Sequence, residues 1–378
     1  MQKKLIALAV AATISAPAYA DVTVYGIMDA GVYSNSSGAA ANASTSGVAS
    51  SGYSTSRLGF KGTEAISDSL SARFALEAEV VPTSGSIVAK SSTLTAPVAG
   101  TAPAPGSTGA GNLNMFKRAA TVGLVSTNFG SIDIGRQNTP EYAAQGAFDA
   151  TGSNTGGLVA NFSATSTDRV DNSILYTSPV FAGFSGKLLY SSQFSSGFVE
   201  NNVVTSAGNF TDLQVAYADG AISANIGTQS ANNVNAAGTL YNNTYVMAKY
   251  NFGVASVSGG FIDKANKSSA TTGLATPLAV NTKNTWIGVN VPVNEQITVG
   301  LIAQKISAAG GTAGNDANDL GLSATYALNK KAKLYAAYSS VSNKGTANQG
   351  LTVATGGTFT TTAGKNASLF MTGINYSF

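Results

Sequence analysis

The sequence predicts an all-β chain, a 16-stranded antiparallel transmembrane β-barrel with short periplasmic turns and long extracellular loops. Three observations predict it. Apolar residues occupy every second position up to the final aromatic in Ile374-Asn375-Tyr376-Ser377-Phe378. The chain opens with a secretory leader. Between the two, no apolar run is long enough to cross a bilayer as a helix. Alternation of this kind turns one face of a barrel wall to lipid and the other to a polar lumen. The expected location is the outer membrane of a Gram-negative cell, as a multi-pass barrel.

The leader is read from its three parts. Lys3 and Lys4 form a positive start, residues 5–16 an apolar stretch, and Ala18-Tyr19-Ala20 a small-residue cleavage site. Residues 1–20 are therefore expected to be a cleaved signal peptide and residues 21–378 the barrel. Its removal leaves 19 basic residues against 18 acids, a net charge of about +1. That balance argues against nucleic-acid binding, which needs a basic excess. There is no cysteine and no histidine. Disulfides, thiol chemistry, His-based triads and His-ligated metals are excluded with them. No catalytic residue, metal site or cofactor is expected.

The elements follow in order. Seven turn-like connections are read at residues 62–69, 127–130, 178–183, 219–220, 251–253, 292–295 and 329–331. Eight long polar connections alternate with them, near residues 34–53, 82–113, 138–168, 194–209, 229–243, 265–281, 307–318 and 342–366. Fifteen connections join sixteen strands. Within strands, one parity is apolar and the other charged. Leu70, Ala72, Phe74, Leu76, Ala78 and Val80 oppose Arg73, Glu77 and Glu79. Leu58 and Phe60 oppose Arg57 and Lys61. Val170, Ile174 and Tyr176 oppose Arg169, Asp171 and Ser173. A charge facing lipid costs roughly 2–4 kcal/mol at the bilayer midplane, so the charged faces are assigned to the lumen. Tyr176, Tyr190, Tyr217, Tyr250, Phe252, Tyr326 and Phe378 fall near strand ends on the outward parity, as interfacial girdles do. In residues 118–125 the outward parity is read as Ala119, Thr121, Gly123 and Val125, small enough for a subunit interface. Arg136 shares the parity of Ile132 and Ile134 and is read as outward. Trp286 lies opposite in parity to Ile287 and Val289, and the sequence offers no role for it.

Several stretches resemble Gram-negative trimeric general porins, closest to the betaproteobacterial branch. Residues 22–31, Val-Thr-Val-Tyr-Gly-Ile-Met-Asp-Ala-Gly, are similar to the family's first strand, and residues 56–64, Ser-Arg-Leu-Gly-Phe-Lys-Gly-Thr-Glu, to its second. Phe116-Lys117-Arg118, Val122-Gly123-Leu124, residues 128–131 and Gly135-Arg136-Gln137 resemble strands four and five. Residues 169–179 resemble the strand after the third loop, and residues 373–378 the last strand. The resemblance spans the mature chain and is densest over residues 22–190. It implies a homotrimer, with the third loop, near residues 138–168, folded into each pore. It places Arg57, Arg118 and Arg169 at the positions of a basic cluster facing acids on that loop. It also marks Phe378 as an assembly signal read by the outer-membrane assembly machinery. Two departures stand out. Enterobacterial members carry lysine where this chain has Ile27. Their third loop carries Pro-Glu-Phe-Gly-Gly, whose nearest echo, Pro140-Glu141-Tyr142, directly follows a strand. Asp149 is the preferred loop acid, with Glu141 second.

The function this implies is passive diffusion of ions and small hydrophilic solutes through a water-filled channel, with a weak preference for anions. Arg73, Glu77, Glu79, Asp171 and Lys61 are expected on the pore wall. Facing rows of opposite charge set up a transverse field that favours polar solutes. The near-balance of charge makes the preference weak, and convergence of the three arginines sets its sign. Outer-membrane lipid and lipopolysaccharide are the expected surroundings. The alternative is a substrate-specific outer-membrane channel. It would line the lumen with aromatics, of which only Tyr25 and Tyr335 qualify on parity.

Overall fold

The computed structural model describes residues 21–36, 44–88, 90–91, 113–157, 167–192, 208–232, 240–267, 281–308, 313–353, 357–359 and 361–378. The predicted leader, residues 1–20, lies outside them. Sixteen antiparallel strands form one closed barrel. They are β1 (Asp21–Ser36), β2 (Arg57–Ser67), β3 (Leu70–Val81), β4 (Ala119–Ser126), β5 (Gly130–Asn138), β6 (Arg169–Thr177), β7 (Phe184–Ser191) and β8 (Asn209–Asp219). The second half comprises β9 (Ile222–Asn232), β10 (Leu240–Asn251), β11 (Ser256–Lys267), β12 (Thr282–Pro292), β13 (Ile297–Ser307), β14 (Ala317–Ala327), β15 (Ala332–Asn343) and β16 (Ala367–Ser377). No described helix is long and apolar enough to cross a membrane; the strands do the crossing. Closure leaves no unpaired edge, which is what lipid demands of a spanning sheet.

The seam joins β1 to β16, from Ile27↔Ser377 to Ser36↔Ser368. On its other edge the periplasmic half of β1 pairs with β2, from Asp21↔Thr63 to Ile27↔Arg57, and its outer half with the short strand Ser44–Ser50. Phe378 extends the seam: its N–H donates to the Gly26 carbonyl and its carbonyl accepts from the Gly26 N–H, both at 3.1 Å. The first predicted turn is tighter than read, because β2 runs on to Ser67 and β3 begins at Leu70.

Exposed apolar side chains map the lipid face. They include Ile132 and Ile134 on β5, Leu188 and Tyr190 on β7, Leu213 and Val215 on β8, and Leu320 and Leu322 on β14. Of the predicted girdle, Tyr176, Tyr190, Tyr250, Phe252, Tyr326 and Phe378 are exposed, and Tyr217 packs tilted against Phe184 at 4.7 Å between centroids. One parity assignment is corrected. On β4 the exposed residues are Val122 and Leu124, at 61% and 48%, whereas a Cβ on Gly123 would meet the Asp133 carboxylate in the lumen. Counting from Arg118 inverted the face, because Arg118 stands before the strand, which starts at Ala119. The outer face of β4 is therefore aliphatic, and its small residues look inward.

Candidate functional site

The chain between β5 and β6 enters the barrel as helix α1 (Pro140–Phe148). Thr139 caps it, accepting from the Tyr142 N–H at 3.2 Å, and Pro140 supplies a first-turn residue that needs no hydrogen bond. Polar contacts then fasten α1 and residues 149–157 around the wall. Asp212 on β8 accepts from the Glu141 N–H at 2.9 Å, and Gln214 donates to the Pro140 carbonyl at 3.1 Å. Lys249 on β10 donates to the Ala147 carbonyl at 2.9 Å, at the negative end of the helix dipole. Asn290 on β12 donates to the Ala150 carbonyl and Ser323 on β14 to the Thr151 carbonyl, at 2.9 and 2.8 Å. The tip reaches the segment after Ser44–Ser50, where the N–H groups of Asn154 and Thr155 donate to the carbonyls of Tyr53 and Gly52, both at 2.9 Å.

That segment is itself pinned by Asp29. Fully buried on β1, it accepts from the N–H groups of Gly52, Tyr53 and Ser54, from the Tyr335 hydroxyl at 2.9 Å and from Asn375 at 2.8 Å. A buried carboxylate is tolerable when its lone pairs are filled in this way.

Opposite the start of α1 stands a basic group. Arg118 Nε donates to Glu77 at 2.5 Å, and Arg57 lies 3.8 Å from the same carboxylate, which also accepts from Tyr25 at 3.0 Å. Glu79 is shared by Lys117 at 3.0 Å and Arg118 at 3.9 Å. Arg169 lies over the ring of Tyr142, 5.0 Å from its centroid, close enough to Arg57 for their charges to interact. Thus Arg57, Arg118, Arg169, Glu77 and Glu79 are brought together, and the α1 side chain that meets them is an aromatic. Arg57, Glu77, Arg118, Pro140, Ala143 and Lys187 line a cavity of about 320 Å³ beneath the helix. Lys61 lies over the Tyr25 ring, 5.2 Å from its centroid. Arg73 is held elsewhere on the wall by Asp133 and Ser131.

The hydrogen bonds of the two loop acids lie away from the arginines. Glu141 is buried against the opposite wall, where Asn243 donates to it at 3.1 Å and Gln145 at 3.1 Å. Burial, and then the neighbouring Asp212, push its carboxyl up to about 8. Asp149 closes the turn after α1, accepting from the Thr151 N–H at 2.8 Å and the Gly152 N–H at 3.3 Å. Asp171 does not join the basic group either. A bulge between Val170 and Ser173, with Asn172 at φ +52°, sets Asp171 against Arg136, and the two form an ion pair. Arg136 also donates to the Lys117 carbonyl. The bulge is why parity from Ile174 misplaced the start of β6: Val170, assigned to lipid, is 1% exposed in an inner apolar cluster.

Two features escaped the sequence reading. Gly288, Gly300 and Gly321, on the adjacent strands β12, β13 and β14, are where the loop touches the wall, and a Cβ on any of them would collide with residues 150, 151 or 156. Interior strand glycine signals such close backbone approach, but nothing in the sequence says which backbone approaches. Trp286 is the second. It is buried under α1 with Ala144, Phe148, Tyr245, Met247 and Ile302, and its ring covers Gly260 on the neighbouring strand. Of the two aromatics that the sequence reading put inward, Tyr335 is spent on Asp29 and Tyr25 bonds Glu77.

A sequence model described as Gram-negative porin matches residues 7–346. The chain is 35% identical over 273 residues to outer membrane porin protein 32 of Delftia acidovorans, covering 68% of each. It is 30% identical over 224 residues to an outer membrane porin protein of Bordetella pertussis, covering 55% of this chain and 52% of that one. Among solved structures, an anion-selective porin from Comamonas acidovorans superposes with a TM-score of 0.74 at 26% identity, covering 95% of this chain and 100% of that one. The trimer form of OmpT of Vibrio cholerae, at 17% identity and a TM-score of 0.62, covers 94% and 99% and shares the fold.

Proposed function

The chain belongs to the Gram-negative porin family, and from that premise we propose how its lumen works as a general diffusion channel of the outer membrane with a weak preference for anions. The observation that carries the reading is a closed barrel narrowed from within by α1, with Arg57, Arg118 and Arg169 gathered on the facing wall. These three are the constriction's basic cluster. Glu77, Glu79, Arg73 and Lys61 line the wall around it. Flux in such a channel needs no catalytic group. It follows from radius, length and field, and guanidinium keeps its charge at any crowding a protein imposes. The field across the constriction orders water and disfavours apolar solutes, while ions and dipolar solutes align with it.

Around this core the assembly is a homotrimer, on the strength of the family. Its other partners are outer-membrane lipid, lipopolysaccharide and the assembly machinery, the last reading Phe378. Residues 1–20 direct export and are cleaved. The decisive experiment is single-channel conductance with the zero-current potential across a salt gradient in planar bilayers. Ohmic, weakly anion-selective conductance is expected. Saturable flux of one solute that blocks ion current would overturn general diffusion in favour of a substrate-specific channel.

A further inference from the structure

Two arginines of the basic cluster, Arg57 and Arg118, are ion-paired where they stand, while Arg169 is in no ion pair among the described residues and lies over the Tyr142 ring. Arg57, Lys117 and Arg118 share the carboxylates of Glu77 and Glu79, all within 3.9 Å. Arg73 and Arg136 are each paired with an aspartate. Four lysines of the lumen differ. Lys61 on β2, Lys187 on β7, Lys249 on β10 and Lys333 on β15 take the inward parity, opposite the lipid-facing Leu188, Ala248 and Leu334 or, for Lys61, beside luminal Arg57. None is among the ion pairs within 4.0 Å formed by the described residues. Lys61 lies over the Tyr25 ring, Lys249 touches the Ala147 carbonyl and the Phe148 ring, Lys333 lies over the Tyr53 ring, and Lys187 lines the cavity beneath Pro140. Counting strands around the sixteen, the gaps between them are five, three, five and three. They therefore encircle the lumen. Lys187, Lys249 and Lys333 stand within three residues of the periplasmic ends of their strands.

Two buried acids on the luminal face feel this ring. Asp212 interacts with Lys187 and Asp29 with Lys333. Both are already saturated by other donors, Asp212 by Tyr245, Gln229 and the Glu141 N–H, Asp29 by the five groups named above. They offset the ring in part without capping its ammonium groups.

We propose that this luminal ring of Lys61, Lys187, Lys249 and Lys333, three of them on the periplasmic side, is the principal anion-selecting element of the channel, while the arginine cluster sets the radius and the transverse field. The inference rests on the weak anion preference proposed above. An unpaired charge projects its potential into the solution over about 10 Å at 0.1 M salt, whereas an ion-paired one presents only a dipole. A ring around the lumen keeps a passing anion within that range of at least one ammonium.

The test is the zero-current potential across a tenfold KCl gradient at low salt for wild type, Arg57→Ser, the four single Lys→Gln variants and their quadruple combination. Each single variant should lower the anion-to-cation permeability ratio, and the quadruple should bring it to one or below. Arg57→Ser should raise conductance and keep the ratio above one. Lys→Arg at all four positions should preserve selectivity, which separates charge from packing. A quadruple Lys→Gln channel with wild-type selectivity, alongside an Arg57→Ser channel that has lost it, overturns the ring. If the quadruple does not assemble, single variants that leave the ratio unmoved do the same. A wild-type channel without anion preference overturns the underlying reading instead, before any variant is compared.

Discussion

Glu141 shows how one side chain can tie a loop to a wall and make the tie depend on pH. Its folded carboxyl sits at about 8, above the ordinary ~4.3, because burial and Asp212 disfavour its charge. A raised acid contributes its stabilisation fully below the ordinary value and loses it as pH rises through the folded one. Docking of α1 should therefore weaken progressively as pH rises from about 4 to about 8 and change little beyond, seen as larger current fluctuations in single channels across that interval. Glu141→Gln should abolish that change, since the amide cannot ionise. A wild-type trace equally quiet at pH 5 and pH 8.5 would contradict the latch. The arginines allow a second comparison. Arg57→Ser should enlarge conductance, because it removes a guanidinium beside the cavity under α1. Arg136→Ser should leave conductance nearly unmoved, because that side chain is occupied by Asp171 and the Lys117 carbonyl. An effect of Arg136→Ser exceeding that of Arg57→Ser would mean the constriction lies elsewhere.

At the scale of elements, the loop carrying α1 is an inserted layer rather than a lid. Polar anchors on β8, β10, β12 and β14 hold its carbonyls, and Trp286 fills the space beneath the helix. The glycines at 288, 300 and 321 are what permit this contact, since any side chain there would occupy the loop's own volume. Gly321→Val should displace residues 150–157 from the wall while leaving strand pairing intact, at a cost of roughly 1–3 kcal/mol for overpacking. Single-channel conductance should change and become heterogeneous, with heat stability of the barrel little altered. Unchanged, uniform conductance would show that the loop reaches its position without the glycine track.

The whole molecule is a cylinder whose stability rests on closure. Phe378 supplies the last two ladder hydrogen bonds, and its ring lies against Gly26. Phe378→Ser should lower the amount of protein in the outer membrane without altering the conductance of channels that do assemble. Wild-type surface levels would show the aromatic to be dispensable. The proposed homotrimer should run near three times the mature mass on unheated detergent gels and shift to the monomer on boiling. A strictly monomeric particle in mild detergent would rule this out. The support for the trimer is the family alone, since the small residues of β4 face the lumen and leave Val122 and Leu124 outside.

Alternation with period two, broken by turn residues at regular intervals, determined the strand count, the location in a membrane and the face of most side chains. These are local properties, because each strand must hide its own backbone and sort its own two faces whatever its neighbours do. Arg57 and Glu77 were legible for the same reason, as charges that lipid would refuse, whereas Arg118 was placed by the family resemblance. Tertiary structure alone decided the rest. The bulge at Asn172 shifted a register that parity assumes constant, and it moved Asp171 to Arg136 and Val170 to the interior. Whether Glu141 would face the arginines or the far wall depended on where a helix of nine residues came to rest, which is fixed by Asp212, Asn243 and three glycines on distant strands. Contacts between segments more than a hundred residues apart leave no period in the sequence, so only the closed barrel brings them together.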